Sequence, residues 1–210
     1  SHYYDIVYKI SSLTGMWPYL ESRTRVFRMA LLTIVLLTLL IPQIAYQFMC
    51  KKNLHCTFQA MTAYLLCIVI LIKMYTFQFN VDTIKDLTRH LFCDWKELNT
   101  YEEYEIMKSY AANSRRFSLI YFVYFSAGMI TFTSMSLIPH ILDIVSPLNE
   151  SRPILPPYRG YYFVDMREYF FEIFWHSVVA WQIVIVGIIS HDCLFVTYVE
   201  HVCSKFAITG

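Results

Sequence analysis

Residues 29–49, 117–142 and 173–190 of the sequence are long stretches that each contain no Asp, Glu, Lys or Arg. An α-helix rises about 1.5 Å per residue, so about 20 apolar residues cross the roughly 30 Å hydrocarbon core of a bilayer. A fourth apolar stretch, residues 58–79, is interrupted only by Lys73. Because only 16% of the residues are charged, against about a quarter in soluble domains, the sequence predicts an all-α, polytopic transmembrane helical bundle.

About four spans are expected, joined by segments of different character. The predicted organisation is an amino-terminal arm (1–28), TM1 (29–49), TM2 (58–79), a helical extension (80–116), TM3 (117–142), an outer loop (143–168) and TM4 (169–198, continuing to 210).

Loop charges predict the orientation of these spans. Eleven Lys and Arg residues fall in the arm, the 80–116 extension and the carboxy-terminal tail, whereas five fall in the other two connections. By the positive-inside rule the amino terminus is cytoplasmic. The glycosylation sequon at Asn149 agrees, since it lies in the 143–168 loop that the charge count places outside.

The cytoplasmic extension carries two helix signals. Val81, Ile84 and Leu91 recur at helical spacing with charged residues on other faces, which predicts an amphipathic helix that extends TM2 as far as Leu98. Thr100 followed by Glu103 predicts a capping box for a second helix that leads into TM3.

Several function classes have little support. A net charge of +1 gives no field for nucleic acid, so we expect no nucleic-acid partner. The five glycines stand too far apart for nucleotide-binding or hydrolase motifs. No nucleophile with an obvious base and no paired carboxylates lie near a membrane face, so we expect no enzyme activity and no cofactor.

Four local strings, in order along the chain, resemble insect odorant receptors: GMWP at 15–18, PLNESRP at 147–153, YFVD at 162–165 and HDCLF at 191–195. The resemblance implies a seven-helix receptor with a cytoplasmic amino terminus in the plasma membrane of sensory neurons. It also implies a small volatile odorant as ligand, and a co-receptor with which the protein forms a ligand-gated cation channel. Since the chain holds about four of the seven spans, we expect it to be the amino-terminal portion of such a receptor. Because it starts with Ser rather than Met, we expect it to be incomplete at the amino-terminal end.

An odorant site needs aromatic and aliphatic walls inside the bundle. Phe125, Gly128 and Phe132 share a face of TM3, where the glycine either leaves space for a ligand or lets a second helix pack closely. The outer half of TM4 also carries Trp175 and Trp181. The candidate ligand-binding residues are Tyr64, Ile68, Leu71 and Tyr75 in TM2, Phe125, Gly128, Met129 and Phe132 in TM3, and Phe174 and His176 in TM4.

Four polar residues in or near the spans need an explanation. Lys73 can extend its stem to the interface or make a polar contact inside the bundle. For His176, a hydrogen bond to a neighbouring helix is favoured over metal binding. Cys50 and Cys56 alone fall outside, in an oxidising compartment, and their spacing permits but does not require a disulfide.

Two alternative functions stay open. A gustatory receptor relative is one, although the PLNESRP string fits odorant receptors better. The other is a four-span scaffold or transporter subunit without an odorant ligand, which the mostly unbroken spans disfavour. A G-protein-coupled receptor predicts an external amino terminus, against the loop charges.

Overall fold

A computed structural model of the chain describes residues 2–50, 53–146, 152 and 158–210. Within these residues 84% of the chain is helical and no strand is present, which confirms the all-α prediction. The α-helices are α1 (Asp5–Thr14), α2 (Ser22–Met49), α3 (Leu54–Phe79), α4 (Val81–Asp94), α5 (Tyr101–Ser134), α6 (Ile138–Val145) and α7 (Phe170–Thr209). Short 3-10 helices occupy His2–Tyr4 and Met135–Leu137.

Four helical segments are long and apolar enough to cross a membrane, as the sequence predicts: Ser22–Met49, Leu54–Phe79, Tyr101–Leu137 and Phe170–Thr209. Buried positions make up 56% of the most apolar stretch of α7 but only 11% of that of α5. Much of the protein core is therefore built on α7.

The predicted capping box at the start of α5 is confirmed. Thr100 Oγ1 accepts a hydrogen bond from the Glu103 backbone N–H at 3.2 Å, and Glu103 Oε2 accepts one from the Thr100 N–H at 3.3 Å. These bonds satisfy donors that the first turn of a helix otherwise leaves unpaired.

Two predicted helices have different limits in the structure. α5 ends at Ser134, and a 3-10 turn separates it from α6, so residues 117–142 are not one continuous helix. Pro139 lies in the first turn of α6, where its missing N–H costs no intrahelical bond. α4 is separated from α3 at Asn80 and ends at Asp94, before the predicted end at Leu98.

The chain divides into two compact units. The first unit comprises residues 1–32, 72–124 and 186–210, and the second unit comprises residues 33–71 and 125–185. Each unit has its own set of buried apolar side chains, with Met74, Leu91 and Ile189 in the first and Leu39 and Val184 in the second.

Gly15, the first residue of the GMWP string, ends α1 in the left-handed conformation, with a φ of 81°. A Cβ atom built at this residue would lie 3.0 Å from the Arg25 carbonyl oxygen and 3.0 Å from Arg28 Cβ. Both the backbone angle and the close approach to α2 therefore require glycine.

In the second unit, α2 continues through Pro42, and a disulfide joins Cys50 to Cys56 across the connection to α3. The Cα atoms of the two cysteines lie 5.5 Å apart. The Pro42 carbonyl oxygen accepts a hydrogen bond from the Tyr161 N–H at 2.8 Å, which ties the segment before α7 to α2.

Candidate ligand-binding site

The second unit contains a partly enclosed cavity of about 900 Å³, here called the main cavity. This volume falls within the roughly 300–1,000 Å³ of small-molecule sites. Helices α2, α3, α5 and α7 and the segment before α7 all contribute to its wall. The lining residues are Tyr46, Gln59, Thr62, Ala63, Leu66, Met129, Phe132, residues 158–162, Val164, Met166, Trp181 and Ile185.

Contacts between aromatic and basic side chains hold the segment before α7 against the helices. The hydroxyl groups of Tyr158 and Tyr162 are in contact, and Arg159 Nη1 donates to the Tyr46 hydroxyl at 3.2 Å. The Tyr158 ring meets the Trp181 indole edge to face, with centroids 6.1 Å apart. One wall of the main cavity is therefore fixed by several independent contacts.

Gly160 lies where this segment packs against α2 at Pro42. A Cβ atom at this position would lie 3.2 Å from Cε2 of the Tyr158 ring and 3.3 Å from Pro42 Cβ. Any side chain at residue 160 would push either the tyrosine or the segment away from α2.

Two polar atoms of the main-cavity residues have no hydrogen-bond partner within the described chain. They are Trp181 Nε1 and Gln59 Oε1. The described residues contain eight buried side-chain nitrogen and oxygen atoms without a hydrogen-bond partner, and these are two of them. The amide nitrogen of Gln59 contacts His55 Nε2 at 3.0 Å. Unpaired buried polar groups of this kind are costly to the folded protein.

His176 lines a second, more open cavity of about 410 Å³, here called the side cavity. Its Nε2 atom lies 3.0 Å from Thr38 Oγ1 on α2, which confirms the predicted hydrogen bond to a neighbouring helix. Its Nδ1 atom lies 3.3 Å from the Tyr162 hydroxyl. Burial raises the pKa of Tyr162 to about 12, so this phenol is neutral at physiological pH.

The structure brings together only part of the predicted ligand-binding set. Met129 and Phe132 line the main cavity, and His176 lines the side cavity. The remaining candidates, which line neither cavity, are Tyr64, Ile68, Leu71, Tyr75, Phe125, Gly128 and Phe174.

Two of these remaining candidates have clear local surroundings. Phe174 is 4% exposed and stacks on Phe170, with ring centroids 6.2 Å apart, so it belongs to the core. Apart from its chain neighbours and the nearby backbone of its own helix, no described atom lies within 4 Å of a Cβ built at Gly128, so neither a ring nor another helix of the described chain approaches it closely. Asn149 lies outside the described residues.

A cluster of polar side chains in the first unit accounts for the charged residue Lys73 in an apolar helix. The Lys73 Nζ atom lies 2.8 Å from Asp192 Oδ1. Of the two alternatives for this side chain, the structure therefore shows the polar contact and not the extension to the interface. Tyr121 donates to Asp192 Oδ2 at 3.0 Å, and His191 Nδ1 lies 3.1 Å from Oδ1. We call these four residues the Lys73 cluster. An acidic residue in the apolar stretch of α7 was the sequence signal for this partner.

Four apolar spans and a cavity for a small molecule together define a multi-pass helical membrane protein with a candidate ligand site. Residues 53–209 match the family model of the 7tm odorant receptor, and the chain belongs to this family. The match confirms the family that the sequence strings predict, which is a receptor family rather than an enzyme family. No curated protein sequence matches the chain.

Proposed function

We propose that this chain binds small volatile odorants in the main cavity and, with an odorant receptor co-receptor, gates a cation channel in the plasma membrane of sensory neurons. The cavity itself carries the proposal. It has the size of a small-molecule site, and apolar side chains such as Leu66, Met129, Phe132 and Ile185 form much of its wall. A cavity of this kind in a member of the odorant receptor family suits a small apolar ligand.

The size of such ligands limits their affinity. A molecule of about ten to fifteen heavy atoms gains around 3–7 kcal/mol at roughly 0.3–0.5 kcal/mol per atom, which corresponds to millimolar to micromolar dissociation constants. One methylene group changes binding by only about 1–3 kcal/mol. Single substitutions in the main cavity should therefore change ligand preference rather than abolish every response.

Gating requires a ligand that binds the open state better than the closed state. α7 contributes Trp181 and Ile185 to the main cavity and continues as a helix to Thr209. Ligand contacts with α7 that differ between the two states would shift the gating equilibrium.

The structure offers a matched pair of phenylalanines on α5 for a test. Phe132 lines the main cavity, whereas Phe125, two turns earlier, lines neither cavity. We expect Phe132→Ala to change the half-maximal concentrations of responsive volatiles by about 5- to 30-fold, and Phe125→Ala by less than about twofold. The measurement is cation current in cells that express the protein with a co-receptor, under a panel of volatiles, with surface labelling of each variant.

A second measurement separates binding from gating. The chain in lipid nanodiscs should deplete at least one volatile from the headspace saturably, beyond the depletion caused by empty nanodiscs. Saturable binding without current would contradict the channel part of the proposal alone. If surface-labelled receptor gives no current and the nanodiscs show no saturable binding, the protein is not an odorant receptor of this kind.

A further inference from the structure

The wall of the main cavity carries a positive charge that no carboxylate in the wall balances. Among the described residues that line the cavity, Arg159 is the one with a formal charge, and the others are apolar, aromatic or uncharged polar residues. A cation in an otherwise uncharged, mostly apolar wall creates a positive potential in the cavity beside it. Such a potential favours an anionic ligand over a neutral one of the same shape.

The guanidinium group of Arg159 is accessible and is held in place at one point. Arg159 is exposed, and its Nη1 donates to the hydroxyl of Tyr46, a half-buried residue that also lines the main cavity. Within the described chain the guanidinium makes this one hydrogen bond and no ion pair. Because arginine carries several N–H donors in a planar fork, the remaining donors can meet a ligand without breaking the bond to Tyr46.

The same cavity offers separate places for a charged head and an apolar tail. Leu66, Met129 and Phe132 supply apolar wall, while the exposed Arg159 keeps its contact with water. A carboxylate bound to Arg159 stays partly hydrated and so avoids most of the cost of burying a charge. The tail attached to it gains from apolar contact with the rest of the wall.

We infer that the main cavity prefers carboxylates with an apolar tail, such as the anions of medium-chain fatty acids, whose head pairs with the Arg159 guanidinium. The inference rests on the proposed function, because it specifies the ligand class of the same cavity. Volatile carboxylic acids are ionised in water at neutral pH, since a carboxyl group has a pKa of about 4. A neutral ligand of equal shape fills the same space without forming the ion pair.

The test compares octanoate with octanamide, in which an uncharged amide of nearly the same shape replaces the carboxylate. Saturable binding of each radiolabelled ligand to the chain in zwitterionic lipid nanodiscs is measured by equilibrium dialysis at neutral pH. Empty nanodiscs give the correction for lipid partition. We expect octanoate to bind about fivefold more tightly than octanamide, because water weakens a charge-assisted pair with an exposed arginine.

The Arg159→Gln variant should reduce this ratio to near one, whereas Arg159→Lys should keep about a two- to threefold preference, since lysine retains the charge but not the planar fork. Loss of the bond to Tyr46 could loosen the wall, but it would weaken both ligands alike, so the ratio reports the charge.

The matched control is Arg167→Gln, which removes the same charge from the same segment before α7. Arg167 is exposed and lines neither cavity. This variant should leave the ratio unchanged, because a charge outside the cavity makes no contact with the ligand and is screened by salt.

The outcomes distinguish this inference from the proposed function. If both ligands bind saturably but the ratio is near one or below, survives Arg159→Gln, or falls equally in Arg167→Gln, only the preference assigned to Arg159 is wrong. The same holds if neither ligand binds saturably while a neutral volatile does. If no ligand of either kind binds saturably, the proposed function fails, and the inference fails with it.

Discussion

In the Lys73 cluster both carboxylate oxygens of Asp192 have partners, whereas in the main cavity Trp181 Nε1 and Gln59 Oε1 have none within the described chain. The cluster brings α3, α5 and α7 together in the first unit through Lys73, Tyr121 and Asp192. The main cavity also draws on α3, α5 and α7, but its wall is mostly apolar and aromatic.

This difference in hydrogen bonding distinguishes polar groups that hold helices together from polar groups that are left unpaired in an apolar surrounding. A half-buried network whose members satisfy one another fixes the positions of the helices that carry them. Unpaired buried groups beside a cavity cost the protein stability, and along the mostly apolar part of the wall the choice of ligand depends on shape and apolar contact. We therefore expect substitutions in the Lys73 cluster to change stability, and substitutions in the main cavity to change ligand preference.

The largest expected effect is that of Asp192→Ala. The substitution leaves Lys73 without its carboxylate in an apolar stretch. It should lower the free energy of unfolding by about 2–3 kcal/mol, less than for a fully buried ion pair because 39% of the Lys73 side chain is exposed. The reciprocal Lys73→Met should cost less, about 1–2 kcal/mol, since Asp192 keeps Tyr121 and His191.

Unfolding by SDS in mixed micelles measures both variants. The double substitution Lys73→Met with Asp192→Leu is the control, because it removes both charges and should recover part of the lost stability. Equal losses for the two single variants, or a changed ligand preference in either, would contradict the distinction between the cluster and the cavity.

Next in size is Gly160→Ala, which tests the wall of the main cavity. The added methyl group lies 3.2–3.3 Å from Tyr158 and Pro42, so we expect a loss of about 1–2 kcal/mol in unfolding free energy together with weaker ligand binding. Gly128→Ala is the matched control in the same unit, because open space surrounds its Cβ position. Equal behaviour of the two variants in SDS titration and nanodisc binding would show that this approach to α2 does not shape the cavity.

The smallest expected effect is that of Thr100→Ala, which removes one half of the capping box of α5. We expect a loss of about 1 kcal/mol in unfolding free energy and no change in ligand affinity. Ser109→Ala, an exposed change later in the same helix, should cost less. A shift in ligand affinity with Thr100→Ala would show that the first turn of α5 is coupled to the main cavity.

Local sequence signals predicted the local features well. Long apolar stretches predicted the four spans, and Thr100 with Glu103 predicted the start of α5. Both predictions succeeded because these features depend on residues close together in the chain. The hydrogen bond of His176 to a neighbouring helix was also predictable, since an uncharged polar group within a span needs a partner.

Features that depend on helix rotation were predicted only in part. Phe125 and Phe132 share a face by helical spacing, yet only Phe132 lines the main cavity. Gln59 and the segment at 158–162 were missed, because tertiary packing alone brings them to the cavity. Lys73 and Asp192 are 119 residues apart, and no periodicity connects two positions at that separation.

The disulfide between Cys50 and Cys56 has a consequence for the order of events during synthesis. Its two sulfur atoms belong to Cys50, directly after α2, and to Cys56, in the first turn of α3, so the bond needs no residue beyond position 56. Since chains emerge amino terminus first, an oxidoreductase can close this bridge on the nascent polypeptide while α7, which begins at Phe170, is still untranslated. The parts of α2 and α3 that carry Tyr46 and Gln59 can thus be linked covalently before the ribosome has made the helix that completes the cavity.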